Sequence, residues 1–122
     1  MPTDLAQAIA HAEGFGKTDA IPTLAHNPGD LVCAWLPGQK MGSEGIHVFD
    51  DDASGWAALE HQLNFIAMRK SHVYTPEMSI ADMASHWTRT QQSEWAENVV
   101  DWLRAHGRLT TTLETPLSAV LG

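Results

Sequence analysis

The sequence predicts an α+β fold, mostly α, with a small β-hairpin, and three observations carry that prediction. Apolar residues recur at helical spacing around 3–13, 54–70, 79–87 and 93–106. Two short apolar runs, Leu31–Leu36 and Ile46–Phe49, flank the Gly-rich turn region Pro37–Gly45, which is the pattern of an irregular hairpin. With 122 residues and no repeat or linker, the chain suits one domain over 1–122. Such a domain buries about two thirds of the surface its unfolded form exposes.

The first helix covers 3–13, with Thr3 at its N-cap and Asp4 in the first turn, where the helix dipole favours negative charge. Leu5, Ala8, Ile9 and Ala12 form one stripe, opposite Asp4, Gln7 and His11. Glu13 falls about 80° from the centre of that stripe, at its edge, and Gly14 is a natural stop. Both the apolar edge and the negative end of the dipole disfavour a charged carboxylate, so the pKa of Glu13 is expected to rise. The plain alternative is a solvated glutamate at a helix end.

From Phe15 to Gly29 no periodicity survives, and Gly16, Asp19, Pro22, Asn27, Pro28 and Gly29 are loop formers. Loops of this length in compact domains are often functional. The hairpin that follows must lean on helices, since one hairpin is marginal alone; Trp35 in its first strand has two readings, a stacking face for a sugar ring and a core residue, and a strand Trp is more often core. Asp50-Asp51-Asp52 with Ser54 marks a helix start; the spaced ligands and terminal Glu of a calcium loop are absent, so the acids read as caps. The helix over 54–70 carries Trp56, Leu59, Leu63, Ile66 and Ala67 on one face and Phe65 and Met68 on others, which predicts a central helix between two neighbours.

Ser79 with Asp82 makes a capping box for a short helix bearing Ile80, Met83, Ala84 and Trp87. Ser93 caps the last long helix, where Trp95, Val99, Trp102, Leu103 and His106 share a face before Gly107 ends it. Thr110–Thr112 favours extended chain, and Pro116 opens a terminal turn that docks Leu117, Val120 and Leu121.

Formal charge is −8, and the seven Lys and Arg are scattered, which argues against nucleic acid as a partner because phosphate binding needs clustered positive charge. A single cysteine excludes an internal disulfide; Cys33 lies in an apolar run and reads as a small buried hydrophobe. The start Met1-Pro2-Thr3-Asp4 is not basic, and no apolar run reaches the length of a signal core or a membrane span. No signal peptide is therefore expected: the chain is made in the cytoplasm, and a role at the cell wall would need delivery by a phage or secretion route. Seven histidines are dispersed without any metal-ligand spacing, so neither a metal site nor a cofactor is expected.

The stretch Ala10–Leu31 joins a helix-terminal Glu13-Gly14-Phe15 to a loop containing Ala25-His26-Asn27-Pro28-Gly29-Asp30-Leu31. With the hairpin and helical lobe after it, this order resembles the lysozyme-like fold of muramidases and lytic transglycosylases. Glu13-Gly14-Phe15 is similar to the Glu-Gly-Phe start of bacterial and phage endolysin domains. Ala25–Leu31 is similar to the Asn-Asn-Pro-Gly-Asn-Leu element downstream in phage-associated members. Gly55-Trp56-Ala57-Ala58-Leu59 and Ser79-Ile80-Ala81-Asp82-Met83 resemble the openings of the later helices there. The likeness spans roughly Leu5 to Leu103. It implies peptidoglycan as the partner and a helix-terminal Glu that protonates the glycosidic oxygen, a role that passes to Glu13. The Asp and Thr that follow Glu in phage-type muramidases are not matched, since Asp19 and Thr23 come too early.

Glycosidic cleavage usually takes two carboxylates. Asp30 at the loop exit, Glu44 in the hairpin turn and Asp50 after the second run are the candidates for the partner, and Asp30 is carried forward with Glu13 as catalytic. By resemblance, a lytic transglycosylase needs the Glu alone, because the sugar's own 6-hydroxyl completes the reaction. Thr23, His26 and Asn27 are the candidate sugar-binding residues, short polar groups in a loop; the turn Asn27-Pro28-Gly29-Asp30 is the structural alternative. The leading expectation is cleavage of the peptidoglycan glycan strand. Its rivals are a non-catalytic glycan-binding or phage or secretion assembly module on the same fold, and an acidic helical interaction protein.

Overall fold

The computed structural model describes residues 2–122; Met1, the first residue of the N-terminal stretch considered above, lies outside them. Its elements are α1 (Asp4–Glu13), α2 (Ile21–Leu24), β1 (Lys40–Met41), β2 (Ile46–His47), α3 (Asp52–Ala67), α4 (Ile80–Trp87) and α5 (Gln92–Ala105), closed by a 3-10 turn, Leu117–Ala119. The fold is α+β and mostly helical, with one antiparallel hairpin in which Lys40 faces His47 and Met41 faces Ile46. No helix among the described residues is long and apolar enough to cross a membrane.

α1 is short but enclosed, with Leu5, Ala6, Ala8, Ile9 and Ala10 buried. Its alanines let neighbours approach closely, and it packs along α5 and, less extensively, on α3, while α5 also meets α4. Leu59 and Ile66 of α3, Met83 of α4, and Val99 and Leu103 of α5 join Leu5 and Ile9 in one core. Burial of each such side chain contributes about 1.5–3 kcal/mol, so this seam holds the domain and the two-residue strands do not. The place expected for the 54–70 helix, between two neighbours, is thus taken by α1 and α5, each of which packs on two helices. Phe65 of α3 and Met68 at its C-cap are exposed, because α3 turns only one face inward.

Local capping signals are met where the expected groups lie next to one another. Gly14 takes φ +86, its N–H reaches the His11 carbonyl (3.1 Å) and the Phe15 N–H reaches that of Ala10 (3.0 Å), a Schellman stop for α1. Asp51 accepts from the Ser54 N–H (2.8 Å) and Ser79 from that of Asp82 (3.0 Å).

Other expectations give way to tertiary contacts. Thr3 stands at the N-cap without a capping bond, because its hydroxyl donates to Glu60 of α3 instead (2.7 Å). α5 begins at Gln92, ahead of Ser93, after Gln91 in the left-handed region at φ +52; the Gln92 amide folds back onto the Ser85 and Thr88 carbonyls. Thr110–Thr112 does not form a strand: a turn over 108–111 is closed by the Thr111 N–H on the Arg108 carbonyl (3.2 Å), and the Thr111 hydroxyl donates to the same carbonyl (2.7 Å). The tail beyond it lends the carbonyls of Thr115 and Leu113 to the first N–H groups of α4 and docks Leu117 and Val120 in the core.

The loop after α1 contains α2, one helical turn opened by Pro22 that periodicity cannot reveal in four residues. The run Leu31–Leu36 is not a strand. Asp30 and Cys33 sit at φ +54 and +46, which breaks an extended backbone, and the strand facing β2 comes instead from the Gly-rich turn region. Two polar anchors, one buried and one on the surface, impose this path. Asn27, fully buried, donates from Nδ2 to the carbonyls of Leu31 (2.8 Å) and His47 (2.9 Å), while its Oδ1 accepts from the Leu31 N–H (2.9 Å). Lys40 Nζ donates to the carbonyls of Val32 (2.9 Å) and Cys33 (3.0 Å) and lies 3.0 Å from His47 Nδ1. Burial and the Lys40 charge lower the pKa of His47, which leaves a neutral ring able to accept from that ammonium.

Gly55 lets this loop lie directly on α3. A Cβ there would stand 1.9 Å from the His26 carbonyl oxygen, so only glycine fits. Cys33 is free and buried, and burial raises its thiol pKa.

A candidate active site at the end of α1

Glu13 emerges from the last turn of α1 into a groove made of two adjoining depressions of about 240 and 220 Å³. Both are lined by Glu13, Asp30, Glu44 and Thr88; the first reaches out to Val32 and the second in to Trp95. The loop after Asn27 supplies one wall, the hairpin turn a second, and the α4–α5 corner a third. Arg89 of that corner stands 3.8 Å from Glu44 of the hairpin turn, an exposed ion pair on the rim.

The carboxyl of Glu13 accepts from the indole N–H of Trp95 at Oε2 (3.0 Å). Trp95 is buried on α5 and stacks against Trp87, with centroids 6.2 Å apart, and the Trp87 indole donates to the Gly29 carbonyl (3.2 Å). Two indoles from different helices thus brace the acid and the residue before Asp30. Burial, and then the charge of Asp30, push the pKa of Glu13 up to about 8, against the opposing pull of the Trp95 and Trp87 N–H groups.

Asp30 is raised less, to about 6, by burial and by Glu44. Its Oδ1 is buried without a hydrogen-bond partner, and its backbone is held in the left-handed region. An unpartnered buried oxygen on a strained residue is costly, and such groups concentrate where chemistry uses them.

Of the three candidates for a second carboxylate, the fold brings Asp30 and Glu44 to Glu13 and leaves Asp50 in a separate depression beside Leu36 and His47. The three candidate sugar-binding residues do not line the groove. Thr23 accepts at its hydroxyl from the Gly16 N–H (2.9 Å), His26 Nδ1 lies 2.8 Å from Asp52 Oδ1, and Asn27 is fully engaged as the loop anchor. Asp19 is exposed in the loop, away from Glu13.

Sequence reasoning missed the α4–α5 corner. Trp87 and Trp95 read as core residues, and nothing local links Trp95 to a carboxylate 82 positions away. No protein-family model matches this chain, and no curated protein or solved structure matches it. The groove holds three carboxylates, yet no three His, Cys, Asp or Glu side chains among the described residues are arranged to hold a metal ion. What the arrangement offers is proton chemistry: one carboxyl that is protonated at neutral pH, beside another that is ionised.

Proposed function

We propose that the groove cleaves a glycosidic bond of the peptidoglycan glycan strand, with Glu13 as general acid and Asp30 as its ionised partner. The observation that carries this reading is the placement of Glu13 at the end of α1, bonded to the Trp95 indole and sharing one groove with Asp30, where burial holds its carboxyl above that of Asp30, about 8 against about 6. Near pH 7 Glu13 holds a proton and Asp30 has lost one, the division of labour that glycosidic cleavage requires.

Glu13 gives its proton to the leaving oxygen and becomes a carboxylate, which the Trp95 N–H at 3.0 Å then stabilises. Positive charge grows at the sugar carbon, and the Asp30 carboxylate either steadies it or takes the proton of an attacking water. The reading is further supported by the helix-terminal acid, the Gly- and Pro-punctuated loop and the hairpin standing around one groove.

The test is release of soluble fragments from purified cell walls by wild type and by Glu13→Gln. Wild type is expected to yield fragments with free reducing ends, and the variant none; 1,6-anhydro ends would move the reading to a Glu13-only transglycosylase. Equal release by the two proteins would remove Glu13 from the chemistry.

A further inference from the structure

Trp35 is 75% exposed, although a large aromatic ring gains most from burial. Its loop is not loose: Lys40 ties the carbonyls of Val32 and Cys33, and the Leu36 N–H closes a turn on Cys33 (2.9 Å). The ring is therefore held out by a braced turn, between two depressions of about 450 and 420 Å³ that both include His61 and Gln62. Leu36 and Ala57 border the first, and Phe65, Lys70 and His72 border the second. His61 leans on Phe65 with ring centroids 4.7 Å apart.

Two features say what this face would take. The Trp35 and Phe65 rings stand among aliphatic side chains such as Val32 and Val73, with an amide, two imidazoles and an ammonium set between them, so C–H-binding surface and hydrogen-bonding groups lie within reach of one ligand with C–H faces and a hydroxyl edge. No carboxylate lines either depression, in a chain with 15 Asp and Glu against 7 Lys and Arg. The face also adjoins the groove of Glu13, since Val32 lines both.

We infer that the Trp35 face is an accessory saccharide site, on the far side of the Asp30–Leu36 segment from the groove, that holds a neighbouring part of the same glycan strand. Trp35 and Phe65 take the C–H faces of pyranose rings. Gln62, His61 and His72 take hydroxyl and acetamido groups, and Lys70 takes the carboxylates of the strand's acidic substituents. The inference rests on the glycan reading of the Glu13 groove, because Val32 is what connects the two.

The test uses the full chain carrying Glu13→Gln, so that the probe stays intact, with the hexamer and the dimer of β-1,4-linked N-acetylglucosamine as ligands. Titrations are followed by the indole N–H resonances, and that of Trp35 is identified by its loss in Trp35→Phe. The hexamer is expected to shift the Trp35 resonance, and Trp35→Ala to weaken hexamer binding on the order of tenfold, which corresponds to about 1.4 kcal/mol. Trp35→Phe should keep most of the affinity, and the dimer should not distinguish the variants. Hexamer binding that leaves the Trp35 resonance unmoved and is equal in Trp35→Ala overturns the accessory site while leaving the Glu13 reading intact. No saccharide binding, together with no fragment release by wild type, overturns both. Self-association abolished by Trp35→Ala, without any saccharide response at Trp35, would assign the face to a second copy of the chain and overturn the inference.

Discussion

The segment Asp30–Leu36 has two unlike sides. On one, Glu13, Asp30 and Glu44 crowd a groove braced by the buried Trp95 and the half-buried Trp87; on the other, an indole stands in solvent over a face without a carboxylate. The same few residues of backbone serve both, pinned by Asn27 at one end and Lys40 at the other. The contrast teaches that burial, more than residue type, assigns the roles. A carboxyl keeps its proton to higher pH because it is taken out of water, and an indole kept in water leaves its ring open to contact.

The sharpest way to break this contrast is to neutralise the acid. Glu13→Gln is expected to lower glycan cleavage by roughly 10²–10⁴-fold, the range for loss of a general acid. Trp35→Ala should leave kcat unchanged and raise KM for long strands only, as steady-state kinetics on strands of graded length would show. The same Glu13→Gln change has a signature in stability. With a folded pKa near 8 against 4.5, Glu13 binds a proton in the native state that the unfolded chain gives up, so stability falls as pH rises through that window. Asp30 acts in the same direction between 3.8 and about 6. Wild-type Tm should therefore decline from pH 5 to pH 9, and Glu13→Gln should flatten the upper part of that decline.

Next in size is the support that the two sides share. Asn27→Ala removes three hydrogen bonds, one buried and two part-buried, and strands the partners on Leu31 and His47, at a cost of about 2–4 kcal/mol. Denaturant unfolding would measure it. If the groove and the Trp35 face hang from one anchor, cleavage and hexamer binding should weaken together; loss of one alone would mean that the two sides are held independently.

What could be read from the sequence divides along similar lines. Asp51, Ser79 and Gly14 act on atoms within a few residues of themselves, so composition and spacing were enough to find them. The phase of α1 set Glu13 at the edge of the apolar stripe, and burial there is the largest cause of its raised pKa. Leu31–Leu36 has the composition of a strand, but Asn27 and Lys40 bend it through contacts that no window over that run includes. Asn27 invited a sugar-binding role for the same reason: a short polar side chain in a loop looks alike whether it faces ligand or backbone. The indoles behind Glu13 come from the far end of the chain, so they were legible only as apolar mass.

The two carboxyls predict the shape of the pH profile. Cleavage needs Asp30 ionised and Glu13 protonated, so kcat/KM should form a bell with limbs near 6 and 8, belonging to the pair as a whole. Asp30→Asn should abolish the acid limb. It should also move the alkaline limb down, since the charge of Asp30 is the second cause of the raised Glu13 value. Activity at the optimum should fall by about tenfold to a hundredfold. A pH profile identical to wild type would exclude Asp30 from the pair.

The smallest effect tests the brace itself. Trp95→Phe keeps most of the ring that fills the space between α1 and α5 but deletes the N–H that reaches Glu13 Oε2. That N–H favours the carboxylate, so its loss should raise the pKa of Glu13 further and carry the alkaline limb of the profile to higher pH. The rate below the optimum should drop by only about threefold to tenfold, because the proton is still available and what is lost is one hydrogen bond to the glutamate as it charges, worth about 1 kcal/mol. A 13C titration of the Glu13 carboxyl separates this from simple loosening of the core. A loosened core would let water in and lower the pKa, whereas a missing donor raises it, so the sign of the shift decides whether Trp95 positions the acid or only packs beside it.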